Sequence, residues 1–384
     1  MKRLFSVCLI VAVLTLGVCI ATDTSFANSF RNNLENTGTY DAEGVSRVKA
    51  INWKFQAGDA IISSPTLYHG VIYFGSDDTY LYAVDQKTGE QIWKFKTDGI
   101  IRSTPAIEKG TVFISSNDGH LYAINANNGK LMWKYDTGVK DERFDNWDYY
   151  QTSPLVYNKM VFFGGWDGHI YGANMFTGEI MKKFAVGLTH STPTIANDKL
   201  YVATLEKGIT AYDIQTEEKV WATEEFPTVS SVIYHDGLVY IGVRHADCVR
   251  AFDADTGRLV WKYNSPHGSW VQSTPSIHDG VLYAGSSDDF LIYAIDARTG
   301  QEIWTSAVPD AVHSSPAYAN GIIYFGTSDN YGGGKDEGYI YAMDAQTGEA
   351  LWKVERPAMI HASPIIDGTN LYIATCNGIL YSLK

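Results

Sequence analysis

The stretch "AVDQKTGEQIWKF", residues 83–95, is written again and again along this chain. "AINANNGKLMWKY" begins at Ala123, "ANMFTGEIMKKF" at Ala173, "AYDIQTEEKVWA" at Ala211, "AFDADTGRLVWKY" at Ala251, "AIDARTGQEIWTS" at Ala294 and "AMDAQTGEALWKV" at Ala342. Its turn chemistry explains the recurrence. Asp85 is suited to accept backbone N–H bonds from the turn that follows it, Thr88 to add a hydroxyl bond, and Gly89 to take a positive φ at no steric cost. Four residues after the glycine slot stands a tryptophan, at Trp93, Trp133, Trp221, Trp261, Trp304 and Trp352. An indole on an outer strand covers the seam with the next repeat and sends its N–H to a partner.

A second marker sets the period. Ser-Ser/Thr-Pro or a near variant ends at Pro65, Pro105, Pro154, Pro193, Pro275, Pro316 and Pro364, and Ser230-Ser231-Val232 fills the remaining slot. These eight units recur at intervals of propeller blades rather than of helical solenoids. Within a unit the residues are β-branched and aromatic, with turn signals about every ten positions and no helical period. In the first unit this predicts strands A to D over 63–68, 71–75, 80–84 and 91–96. The last unit, ending "NLYIATCNGILYSLK", has A, B and C but no D, while "AINWKF" at Ala50 carries a D-like signature, with Trp53, and nothing before it. The reading is therefore all-β: an eight-bladed β-propeller over 50–384, closed by pairing residues 51–55 with 379–383, so that no sheet edge stays open.

The repeat resembles that of the PQQ-type (pyrroloquinoline quinone) β-propellers, whose signature is Ala-x-Asp-x-x-Thr-Gly-x-x-x-Trp, and it is most similar to their BamB-like, non-enzymatic branch. The departures are Asn125 and Asn128, Asn174, Lys182 in a tryptophan slot, and Glu217 in a glycine slot. Lys182 is expected to weaken its seam. In this quinoprotein-like superfamily the repeat is architectural and serves quinone enzymes and non-enzymes alike, so the resemblance implies the fold and leaves activity to be argued from a site.

Composition narrows the function. Lys2 and Arg3 precede an apolar run and Ser25-Phe26-Ala27 has the small-x-small pattern of signal cleavage, so residues 1–27 read as a signal peptide and 28–49 as an N-terminal extension. A lipid anchor on Cys19 is the alternative, against which Val18 stands where a lipobox has Gly or Ala. No other run approaches a membrane span. A periplasmic or secreted monomeric propeller follows. With a formal charge of −13 and no basic stripe, nucleic acid is not an expected partner. Cys248 and Cys376 stand three repeats apart, and their redox state is open.

Alternate turns of a four-stranded meander lie on opposite faces of the disc. The A–B and C–D turns are short, whereas "DTGVKDERFDNWDYYQ", "NSPHGSWVQ" and "SDNYGGGKDEG" all fall in D–A or B–C connections. Variable loops on a rigid scaffold are where binding residues concentrate. Trp147, Tyr149, Tyr150, Trp166 and Trp270 lie on that face, placed either to stack on a sugar or anchor a protein, or to pin their own loops. The slot before each Ser-Ser/Thr-Pro holds Ile62, Arg102, Gln151, His190, Val229, Gln272, His313 and His361. Its polar members suggest a funnel at the channel mouth, with water-facing innermost strands as the plainer alternative. No zinc-type spacing occurs, and Asp141, Asp145, Asp148 and Asp167 read as a solvated loop before a calcium site. No catalytic residue is assigned and no cofactor is expected. The reading is a non-enzymatic binding or scaffold protein whose partner is an envelope protein or a glycan. The alternative, implied by the resemblance, is alcohol or sugar oxidation with PQQ and calcium, but the chain lacks the adjacent cysteine pair of those dehydrogenases.

Overall fold

The computed structural model describes residues 29–140, 151–205, 207–245, 247–329, 337–355 and 358–384. It consists of eight four-stranded antiparallel sheets, seven of them formed by strands consecutive in the chain. The eighth takes Ile51–Gln56 beside Ile379–Leu383, with Ile51 opposite Leu383 and Gln56 opposite Ile379. The expected closure of the ring is thus present. In the first blade strands B and D run Val71–Gly75 and Gln91–Lys96 as predicted, and C extends to Asp85. Strand A is shorter than predicted, Thr66–Tyr68, because the Ser-Ser-Pro ahead of it does other work.

That work is visible in its hydroxyls. The first serine closes the inner hairpin of its own blade: Ser103 Oγ donates to Ser115 O at 2.8 Å and accepts from Ser115 N–H at 3.0 Å. Ser314 does the same with Gly326. The second hydroxyl binds the preceding blade. Thr104 N–H donates to Ser153 Oγ, Ser153 N–H to Thr192 Oγ1, Thr192 N–H to Ser231 Oγ, Ser231 N–H to Thr274 Oγ1 and Thr274 N–H to Ser315 Oγ. Ser363 N–H reaches Ser64 Oγ at 2.9 Å across the closure. A buried belt therefore satisfies inner-strand amides that the sheets leave unpaired.

The outer motif holds the rim. Asp85 Oδ1 accepts from Lys87 and Thr88 N–H, and Trp53 Nε1 donates to Gln86 O at 3.0 Å. Gly89, at φ 74°, lies flat against Trp53; a Cβ there would stand 2.6 Å from the indole. The same indole-to-carbonyl bond recurs from Trp93 to Ala126, Trp221 to Ala254 and Trp261 to Ala297. Packing follows the seams: Tyr73, Leu81, Ala83 and Trp93 of the first blade meet Ile107, Val112, Ile114 and Tyr122 of the second. At the last seam the chain ends interrupt the C–D turn of the closing blade, and Trp352 Nε1 donates instead to Val45 O at 2.7 Å.

Val45 belongs to a strap, residues 29–45, that crosses the A–B face of the disc. Arg31 is buried and donates to Pro316 O at 2.6 Å and Pro275 O at 2.7 Å. Asn36 Nδ2 donates to Thr194 Oγ1 and Val232 O. Carbonyls of Leu34, Glu35, Thr37 and Gly38 accept from Ile195, Tyr234, Ile277 and Tyr318 N–H, one from each of four successive blades. Among the described residues no helix is long and apolar enough to cross a membrane. Cys248 and Cys376 form no disulfide, and burial pushes the Cys248 thiol up to about 12.

Candidate binding site at the channel mouth

Each D–A connection delivers its slot residue to the inner end of strand A. Ile62, Arg102, Gln151, His190, Val229, Gln272 and His361 line one axial cavity whose floor is Phe30 of the strap. The expectation that innermost strands face water does not hold. Gln151, His190, Gln272, His313 and His361 are all buried, since the hydroxyl belt draws the inner strands together and the strap closes the far end.

Gln151 and Arg102 of this ring are engaged with the protein itself. Gln151 Oε1 accepts from Arg102 N–H and Ser103 N–H at 3.1 and 3.0 Å. Arg102 grips Asp77 with Nε at 3.0 Å and Nη2 at 2.7 Å. Burial drives the Asp77 carboxyl above the usual range, the Arg102 guanidinium pulling the other way. His190 meets the edge of Trp166 at 5.1 Å, and His313 lies 5.2 Å from His361. Burial, then the nearby His313 and Arg102, hold His361 well below the ordinary histidine range, so it is neutral at physiological pH.

The repeated B–C aspartates serve the turns. Asp78 accepts from Gly58 N–H, Tyr80 N–H and Tyr82 Oη, and Asp118 from Asp98 N–H, His120 N–H and Tyr122 Oη. Among the described residues no three His, Cys, Asp or Glu side chains gather as a metal site. Trp147, Tyr149, Tyr150, Asp141, Asp145 and Asp148 lie outside the described residues.

One corner of the mouth is open. Trp270 is 42% exposed on its D–A loop, and the guanidinium of Arg244 stands 5.9 Å from its ring centre. Arg244 Nη2 donates to Gln272 Oε1 at 3.1 Å, and Gln272 Nε2 donates to Ser287 Oγ. Arg250, by contrast, is held by Asp247 at 2.9 Å. Among the described residues Arg244 has no carboxylate partner, and its Nε is buried without an acceptor. Trp270, Gln272 and Arg244 therefore form a cationic, aromatic step where the channel meets solvent. Reading the sequence singles out the first two and misses Arg244, which follows strand B outside every repeated slot; the "VRHAD" departure at that turn was the available signal.

A family model described as outer membrane protein assembly factor BamB matches residues 43–247 and 245–384. A search of curated proteins finds no match. Among solved structures, a europium-containing methanol dehydrogenase is similar at 15% identity and TM-score 0.75, covering 93% of this chain and 97% of its own. A quinohemoprotein alcohol dehydrogenase from Comamonas testosteroni gives 13% identity and TM-score 0.76, covering 93% and 80%. BamB from Moraxella catarrhalis gives 18% identity and TM-score 0.52, covering 88% of each chain. At such identities the structural likenesses establish the fold alone. With blades, closure and repeat in place, and the family model spanning them from residue 43 to the end, the chain belongs to the BamB-type family of PQQ-like β-propellers.

Proposed function

We propose that this protein is an exported, non-enzymatic binding or scaffold protein of the cell envelope that engages a protein or glycan partner through its D–A/B–C face. The observation that carries this reading is the division of labour around the channel. The inner polar groups, Gln151, Arg102 and Asp77, are spent on the ring itself, whereas at the rim Trp270 is exposed and the half-buried Arg244 beside it has no carboxylate partner among the described residues. Exposed tryptophan beside arginine is the composition of interface hot spots.

A tricarboxylate quinone bound in the channel would set its charges beside Asp77, and the ring's guanidinium, Arg102, is already held bidentately by that carboxylate. His361, buried and neutral, adds no positive charge. Around Arg102 and His361 the donor set does not fit the cofactor. Capture from envelope extracts tests the proposal. One partner retained by the native protein and by Lys87→Ala, but lost with Arg244→Ala and Trp270→Ala at unchanged melting temperature, is the result expected. Equal capture by all variants would refute it.

A further inference from the structure

The strap treats the eight blades unequally. In every blade the middle residue of strand A has its N–H on the channel side, because the tight A–B hairpin makes it a non-hydrogen-bonded pair: Leu67 opposite Ile72, Ile107 opposite Val112, Val156 opposite Val161, Ile195 opposite Leu200, and so round to Ile366 opposite Leu371. On one half of the ring the strap caps these donors, at Ile195, Tyr234, Ile277 and Tyr318. On the other half Leu67, Ile107, Val156 and Ile366 have no acceptor among the described residues. Leu67 and Val156 are partly exposed and the side chains of Ile107 and Ile366 are buried, but all four border open grooves. Leu67 and Ile366 line a groove with Asp41 and Asp367, Ile107 and Val156 line a second with Glu108 and Lys159, and Ser29 borders both.

We propose that this open half-ring is a docking edge for an extended peptide segment of a partner protein, bound as the strap is bound, with its carbonyls on these four amides. The site lies on the face opposite Arg244 and Trp270 and stands whether or not that rim binds anything. Unpaired edge donors in a groove are the template used in strand addition, where main-chain bonds give affinity and side-chain pockets give preference. The covered half shows that this ring accepts a chain in that mode, at one carbonyl per blade for every one or two residues. Asp41 and Asp367 in the first groove favour a segment carrying Lys or Arg there.

A labelled synthetic peptide, FRNNLENTGTY, copied from residues 30–40, serves as the probe. It is titrated against the purified protein by fluorescence anisotropy, with amide hydrogen exchange as the local readout. Saturable binding is expected, with exchange slowed about tenfold or more at Leu67, Ile107, Val156 and Ile366. Leu67→Pro and Val156→Pro should weaken binding about tenfold, since each removes an inward donor at a partly exposed position without removing an A–B ladder bond. Absence of saturation at millimolar peptide, protection confined to other amides, or these four amides already as protected as Ile195 and Tyr234 in the protein alone would each overturn the proposal. So would protection that appears with protein concentration and dimer formation, which would make the occupant a second copy.

Discussion

Lys182 Nζ lies 3.1 Å from Glu217 Oε1 and donates to Gln215 O at 2.7 Å, one residue past Ile214, whose place in the turn is the one that supplies the carbonyl for Trp221 and Trp261 at their seams. Two departures from the repeat are therefore one. Where a tryptophan stands, the next turn carries a glycine because a Cβ would meet the indole at 2.6 to 2.8 Å, as for Gly89, Gly129, Gly257 and Gly300. Where lysine stands, Glu217 is admitted, at a positive φ of 64°. The seam expected to be weak keeps its bond through different chemistry. Lys182→Trp alone should destabilise by about 1–3 kcal/mol through overpacking, and adding Glu217→Gly should recover most of it. A double-mutant cycle by chemical denaturation checks this; additive effects would contradict it.

The Arg102–Asp77 pair yields a test of its structural role. Removing the cation leaves a partly buried carboxylate, so Arg102→Ala should cost about 2–3 kcal/mol, below the range for a fully buried pair, whereas Arg102→Met with Asp77→Leu should fall close to the native stability. Thermal and urea unfolding of the three proteins decides. Native stability in Arg102→Ala would show that the pair does not hold the ring.

The strap's anchor is a buried guanidinium on two proline carbonyls, its pKa lowered to about 10 by burial. Arg31→Ala strips both acceptors of their donor and should cost about 2–3 kcal/mol. Hydrogen exchange should then quicken at Ile195, Tyr234, Ile277 and Tyr318 before any other inner-strand amide, because their acceptors travel with the strap.

Acid lability has a sign that can be worked out. The Thr299 hydroxyl and then its N–H hold Asp296 below the usual carboxylate range, as the Thr256 hydroxyl does for Asp253. A depressed folded pKa contributes stability that is present above the ordinary value and lost as pH falls through the folded one. Asp296→Asn keeps an acceptor in the turn, as Asn174 already does for Phe176 and Thr177. The variant should lose less melting temperature than the native protein between about pH 6 and pH 3. Parallel losses would remove this turn from the acid transition.

Blade number and the shared duty of Asp, Gly and Trp were legible because each is repeated, and ring closure because the one unit lacking a D strand had one unmatched D-like segment at Ala50 to complete it. The slot residues were legible as a set, but their burial was not. It depends on the belt made by Ser153, Thr192, Ser231 and Thr274 and on Phe30 reaching the channel floor, contacts between segments remote in sequence. Arg31 and Arg244 escaped for the same reason: each occurs once, outside the repeat, and its meaning lies in partners far along the chain.

If Gln151, Arg102 and Asp77 serve the ring and recognition takes place at the surface, the channel holds no quinone. Native mass spectrometry of the purified protein, mixed with pyrroloquinoline quinone and calcium and assayed in parallel for dye reduction, tests this most directly. The mass of the protein alone and no dye reduction is the expected result. One retained quinone per chain with dye-reducing turnover would contradict it.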